Sequence, residues 1–335
     1  MLRPGKSDKL HSFSPKSLLR RFALVALVPL VLVQVMACRA KESVVAVIPR
    51  TCGTWLWEAE HTGVAREEPK HGLSVYWNAP MREDDVQGQI EILASAVKQK
   101  VKGVVIAPIE DLPLRTPLQR TIRAGIPVVV VGTDLGLTPN NDLTYVVNDE
   151  RAGGELAARR IGRILKGRGA VAIVGINKKL ASTAERARSL EAALADEFPQ
   201  IRVVFRSLAL PTVSQEQQVA ERMLAEEQHP DAIIALSESS TRGTFFALIE
   251  SDRSRKIPLV GFDQNLLAPI RIGEIDSVIV LNSYEMGRAA MQLISDELAG
   301  KTKRTEVVVE PELVTRETID TPKVRETLDL DWFRQ

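Results

Sequence analysis

The stretch from Val260 to Ala290, VGFDQNLLAPIRIGEIDSVIVLNSYEMGRAA, decides the fold. The apolar run Ile257-Pro258-Leu259-Val260 reads as a buried strand ending at Gly261-Phe262-Asp263. A short helix, a turn at Gly273-Glu274 and a second apolar strand, Val278 to Leu281, follow, and another helix opens near Ser283. Strand, Asp at the carboxyl end, helix, strand is half of a doubly wound α/β sheet. In such sheets ligands lie beyond the carboxyl ends of the strands. Asp263 is therefore the first candidate ligand contact.

Upstream the same alternation fills the chain from Ser43. Strands are expected at Val44–Ile48, Leu73–Tyr76, Val104–Ile106, Val128–Val131 and Tyr145–Val147. The helices between and after them are expected at 55–68, 84–98, 118–124 and 150–165. A second series has strands at Ala170–Val174, Val203–Phe205 and Ile233–Leu236, with helices at 183–197, 214–226 and 239–250. Single helices between strands mean right-handed βαβ units. The all-valine run at 128–131 suits a parallel strand covered on both faces. Two series divided near Asn148 predict an α/β protein of two similar parallel-sheet domains. The tail from Val307, VVVEPELVTRETI, holds two short extended pieces, and Thr321 to Gln335 reads as a charged surface appendage.

Charge and the N-terminus bound the setting. Residues 1–37 carry six basic residues and one acid, which leaves 38 basic and 42 acidic residues in the rest, a net charge of −4. A mildly acidic body lacks the basic face that nucleic acid needs. Arg20-Arg21 precede the apolar run FALVALVPLVLVQVMA, and Ala37 and Cys38 follow. Basic, apolar, small is the order of a secretory signal. Val35-Met36-Ala37-Cys38 resembles a bacterial lipobox, which would make Cys38 the lipidated first residue. An uncleaved anchor or a cut at another site is the other reading. Each places the body outside the cytoplasm. With Cys38 acylated, Cys52 stands alone and is expected to be buried and inert.

The chemistry of catalysis is missing. The chain has no GxxxxGK[ST] phosphate loop and no GxSxG elbow, and its four histidines show no metal-ligand spacing. Asp84-Asp85 opens a helix, where acids act as caps. No enzymatic activity, metal or cofactor is expected.

Nine strings in order carry a family resemblance: AVIPRTCGTWLWE, NAPMREDDVQGQIEIL, KGVVIAP, AGIPVVVV, NDERAGG, ASTAERARSLEAAL, SESSTRG, VGFD and GEIDSVIVLNSYEMG. From about Ser43 to Ile319 the chain resembles the type I periplasmic binding proteins of ABC sugar transporters, in the ribose- and xylose-binding group. The resemblance implies two Rossmann-like lobes joined by a three-segment hinge, with crossovers near Asn148, Leu281-Asn282 and Val307. The expected division is a lipoprotein-type signal peptide at 1–37, an N-terminal lobe of 43–148 plus 283–306, a C-terminal lobe of 149–281 plus 307–320, and a tail at 321–335.

The resemblance also implies ligand contacts. Thr54 and Trp57 stand at the polar loop and aromatic position after the first strand. An aromatic plate suits the C–H face of a sugar, and hydroxyls need hydrogen bonds. Packing of its helix on the sheet is the alternative for Trp57; only one of Trp55 and Trp57 can face the cleft, and Trp57 is the one expected there. Arg186, in ERARSL, can donate to two adjacent hydroxyls. Asp263 either accepts from hydroxyls or caps the following helix, and the two roles are compatible. Other positions depart from the family pattern. Gly132-Thr133 replaces Asp-Ser, with Asp134 beyond it. Ser237, followed by Glu238, replaces Asn. Leu281, followed by Asn282, replaces Gln, and Asp149-Glu150 replaces Asp-Asn. A buried hydroxyl without a partner costs about 1–3 kcal/mol, so either Asp134, Glu238 and Asn282 compensate or the ligand is not a standard pentose.

The implied function is capture of a sugar or related small polar ligand between the lobes, by hinge closure, for an ABC importer. The expected partners are that ligand and a membrane permease. The protein is expected to be an exported monomer, anchored by lipid alone. A sensor of the same fold, feeding a receptor such as a histidine kinase, is the alternative. A repressor-like ligand domain ranks below both, because a signal stands where a helix-turn-helix would be needed.

Overall fold

The computed structural model describes residues 43–226, 230–301 and 304–328. The expected signal segment, Cys38 and His229 therefore lie outside the described residues.

The first sheet begins with β1 (Ser43–Ile48), β2 (Leu73–Trp77), β3 (Gly103–Ile106), β4 (Val128–Val131) and β5 (Leu143–Asn148). Helices α1 (Trp55–His71), α2 (Val86–Lys98) and α3 (Asp111–Arg123) connect them up to β4. Helix α4 (Glu150–Ile164) leads into the second sheet, which starts with β6 (Arg168–Ile176), β7 (Gln200–Leu208), β8 (Ala232–Ala235), β9 (Leu259–Gly261) and β10 (Ser277–Val280). Its connections are α5 (Ala181–Glu197), α6 (Val213–Ala225), α7 (Glu238–Glu250) and, after a 3-10 turn at Gln264–Leu266, the short α8 (Leu267–Ile272). Then come α9 (Ser283–Leu298), β11 (Glu306–Val309), β12 (Glu312–Thr315) and α10 (Pro322–Leu328).

Each sheet has six strands and the same winding, β11-β5-β4-β3-β1-β2 in one and β12-β10-β9-β8-β6-β7 in the other. All pairings are parallel except β10 with β12. Period-two alternation divides each strand between two helical layers. Val45, Val47, Val105 and Val129 pack beneath α1 and α9, while Ala46, Ile48, Val104 and Val130 pack beneath α2 and α3. The second sheet repeats the scheme, with Ile173 and Ile234 towards α4 and α5, and Ala172 and Ile233 towards α6 and α7. Continuous apolar strands are what sheets covered on both faces require.

Glycines bring the covering helices together. A Cβ on Gly287 of α9 would stand 2.2 Å from the Glu60 carbonyl oxygen of α1, and one on Gly63 would stand 2.1 Å from that of Tyr284. In the other lobe a Cβ on Gly154 of α4 would meet the Arg186 carbonyl oxygen of α5 at 2.4 Å. NDERAGG and SYEMGRAA therefore contain the contact points of two close helix pairs.

Cys52 is only partly buried, contrary to expectation, and two expectations about the path of the chain need correction. Strand β11 belongs to the first sheet, where Val307 and Val308 pair with Val146 and Val147. The third crossing therefore falls at Glu310-Pro311, between β11 and β12, and not near Val307. Proline suits that place because it cannot donate to a ladder. The expected surface tail also contains α10, whose Val324 and Leu328 are buried in the second-lobe core. Charged neighbours hide those two positions in the sequence. Among the described residues no helix is long and apolar enough to cross a membrane.

Candidate functional site

The loops after the strands of both sheets meet in one cleft. Among the described residues the bonds that cross it include one from the Asp111 amide to the Lys179 carbonyl oxygen at 3.4 Å and three that involve side chains. The Asp111 carboxylate accepts from the Ala181 amide at 2.7 Å, Lys179 Nζ reaches Glu110 Oε1 at 2.5 Å, and the Trp55 amide donates to Asn265 Oδ1 at 3.3 Å. They hold the lobes together around a cavity of about 350 Å3, which is within the small-molecule range. Arg50, Trp57, Glu83 and Ile109 line it from the first lobe. Arg186, Ser237, Glu238 and Phe262 line it from the second, and Leu281 lies in the crossing segment. Ile176, Leu208 and Leu210, at and after the ends of β6 and β7, add an apolar wall.

Arginines organise the polar part. Arg50 follows Pro49 at the end of β1 and donates from Nε to the Pro108 carbonyl oxygen at 2.9 Å. Its guanidinium lies 5.7 Å from the Trp57 ring centroid, a cation–π contact. Burial lowers its pKa, opposed chiefly by Glu83. Arg186, only 3% exposed, lies 4.1 Å from the Phe262 ring centroid. It binds Glu150 Oε2 through Nε and NH2 at 2.7 and 2.6 Å, and donates from NH1 to the Leu236 carbonyl oxygen at 2.5 Å. A carboxylate and a carbonyl thus hold this guanidinium at the cavity wall. Burial raises the pKa of Glu83, with Arg50 opposing. Burial, then the charges of Asp263 and Glu83, raise that of Glu238 well above the usual carboxylate range.

The candidate residues divide by location. Trp57, Arg186, Ser237 and Glu238 line the cavity, and Trp55 does not. Ser237 also caps α7, in a reciprocal capping box with Ser240. Thr54 lines an adjoining depression beside Glu83, Glu238 and Arg242, and its hydroxyl is buried without a hydrogen-bond partner. Asp263 is fully buried and caps the 3-10 turn through the Asn265 amide. Its Oδ2 accepts from Arg242 Nε at 3.1 Å and its Oδ1 from Asn265 Nδ2 at 2.6 Å. Its carboxylate is therefore spent within the chain and does not reach the cavity wall.

Three further candidates lie apart from the cavity. Thr133 is fully buried and donates to Asp111 Oδ1 at 3.0 Å, a bond that steadies the interlobe contact. Asp134 is exposed and accepts from the Gly136 amide in a turn. Asn282 caps α9 through the Glu285 amide and lines a separate depression with Leu156, Val308 and Lys323. Asp134 and Asn282 thus supply no polar group to the cavity. Sequence reasoning passed over Arg50, Glu60, Glu83 and Phe262. Arg50 was discoverable as the first charged residue beyond a strand's carboxyl end. Glu83 stands in a loop whose path no periodicity reveals.

This geometry agrees with comparison to known proteins. Residues 45–302 match the profile of the periplasmic binding protein domain. The chain belongs to this periplasmic binding protein family. The ribose import binding protein RbsB of Bacillus subtilis (strain 168) is 25% identical over 244 residues, covering 71% of this chain and 76% of that protein. A solute-binding protein of an ABC transporter from Agrobacterium vitis, bound with alpha-D-tagatopyranose, superposes with a TM-score of 0.80 at 19% identity. That match covers 85% of this chain and 99% of the other. A carbohydrate transporter solute-binding protein from Agrobacterium radiobacter, in complex with D-arabinose, gives a TM-score of 0.80 at 21% identity, covering 86% and 99%. These two likenesses show the shared fold of periplasmic binding proteins. The doubly wound pair of sheets is therefore the family's architecture, and the cleft is where such a sheet pair receives a ligand.

Proposed function

We propose that this periplasmic binding protein captures a sugar or related small polar ligand between its lobes and delivers it to an ABC importer. The observation that carries the reading is the cavity itself. Both lobes build it from strand ends, with the Trp57 indole, the clamped Arg186 guanidinium and carboxyl groups that include those of Glu83 and Glu238 on its wall. An aromatic face and charged hydrogen-bonding groups match the two faces of a carbohydrate. The names of the ribose-binding relative and of the sugar-bound structures support the class.

The mechanism follows from the interlobe bonds. Ligand contacts made by both lobes exist only when the lobes are closed, so binding shifts the open–closed balance towards closure. The closed surface is what a permease would read. The protein acts by binding and release, as its family does, without catalysis. Family membership puts its work outside the cytoplasm. A lipid on Cys38 would keep it at the membrane, and metabolic labelling with a fatty acid is expected to mark the parent protein and not Cys38→Ala.

Titration calorimetry against a panel of mono- and disaccharides is expected to find a binder in the micromolar range, near −8 kcal/mol. Trp57→Ala is expected to weaken it at least tenfold. A panel without a binder would remove the sugar assignment and leave the fold assignment standing.

A further inference from the structure

Beneath the main cavity is a smaller chamber of about 40 Å3. Arg50, Trp57, Arg186 and Leu281 form walls of both spaces, so the chamber is the deep end of the same cleft. Three of its lining residues are Glu60 of α1, Asn148 at the end of β5, and Ser283 at the start of α9. They are 1%, 6% and 2% exposed. Each carries a buried oxygen without a hydrogen-bond partner: Glu60 Oε2, Asn148 Oδ1 and Ser283 Oγ. Buried oxygens of this kind are costly unless something pairs with them. Two belong to segments that cross between the lobes, so the chamber is assembled by the hinge.

Its chemistry selects an occupant. The volume admits a hydroxyl or hydroxymethyl group and excludes a second sugar ring. Asn148 Oδ1 accepts only, whereas the Ser283 hydroxyl and a protonated Glu60 can donate and accept. Burial pushes the Glu60 carboxyl up to about 8, against the opposing charge of Arg50. With Glu60 neutral, Arg50 and Arg186 outnumber Glu150 among the charged walls, which disfavours an ammonium. A neutral group that both donates and accepts fits all three oxygens.

We infer that this chamber is a hydroxyl-binding subsite of the cleft, and that one hydroxyl arm of the ligand enters it and satisfies Glu60, Asn148 and Ser283 together. This rests on the reading of the cleft as a sugar site. The ligand would then reach the hinge directly, and affinity would depend on one particular hydroxyl.

The test uses sugar pairs that differ by one hydroxyl, D-galactose against D-fucose and D-ribose against deoxyribose, titrated into the purified mature protein. At least one pair should differ by about tenfold or more in Kd. In Ser283→Val, which puts a methyl group where the hydroxyl stands, the same pair should differ less than threefold while the deoxy member binds as before. Glu60→Gln keeps a donor and an acceptor and should preserve most of the discrimination; thermal melts establish that both variants fold. Sugars that bind without distinguishing either pair mean that ordered water fills the chamber, and overturn the subsite alone. Discrimination that survives Ser283→Val overturns it as well. Failure of every sugar to bind overturns both the subsite and the sugar reading.

Discussion

Arg186 shows how one side chain is committed before any ligand arrives. Its guanidinium neutralises Glu150, which is 7% exposed, and braces the carbonyl after β8. Removing it leaves a buried carboxylate alone, which costs about 3–5 kcal/mol. Arg186→Ala is therefore expected to lower stability by that order in urea denaturation, and a double variant with Glu150→Leu to recover part of the loss. Loss of ligand binding in the single variant must be separated from this destabilisation. Glu60 makes a different prediction. The unfolded chain releases its proton near 4.5 and the folded protein near 8, so the folded state holds more protons in between. The Glu60 contribution is complete below the lower value and is lost as pH rises through the upper one. Glu60→Gln should flatten that part of the stability–pH curve, measured by denaturant midpoints at successive pH values. Single residues were unevenly legible. Trp57 and Arg186 could be placed from the motifs around them. Asp263 could be placed as a cap, but not behind Arg242, because that pairing joins the turn after β9 to helix α7, an orientation that no local pattern reveals.

Helix pairs set the lobes at the level of elements. The α1–α9 crossing allows no side chain at Gly287, where a methyl group would meet a backbone oxygen at 2.2 Å. Gly287→Ala would gain helix propensity of about 1 kcal/mol, yet overpacking against rigid backbone costs about 1–3 kcal/mol. A net loss in melting temperature with unchanged far-ultraviolet circular dichroism is expected. Elements are legible where periodicity is strong and obscure where proline intervenes. Helix α3 starts at Asp111, seven residues before the expected 118, because Pro113 lies in its first turn and Pro117 inside it. Proline is tolerated in a first turn, but in a bare sequence it reads as a break. The bare sequence places strand β11 in the wrong half, because VVVEPELV has no turn signal except its proline.

Across the whole molecule, closure depends on few bonds. Asp111 accepts from Ala181, and Lys179 pairs with Glu110, at one rim of the cleft. Asp111→Ala removes the first bond and the support from Thr133. Its expected outcome is a larger radius of gyration without ligand, by small-angle X-ray scattering, and a smaller change on addition of a binding sugar. Equal scattering of variant and parent would show that closure rests on other contacts. The two-lobe plan was legible from the repeated alternation of elements. The charged lining was not, because Arg50, Glu60, Glu150 and Arg186 come together only after both sheets have wound.

The three crossings also fix the order in which the molecule can be completed during synthesis. Neither lobe is one continuous piece of chain. The first sheet lacks its edge strand and the cover of α9 until residues 283–309 exist, and by then the ribosome has made most of the second lobe. The second lobe in turn waits for β12 and for the anchoring side chains Val324 and Leu328. A nascent chain normally folds its amino-terminal domain first. Here that step waits for residue 309, after strands β6 to β10 of the second lobe have been made, so the two lobes are completed almost together.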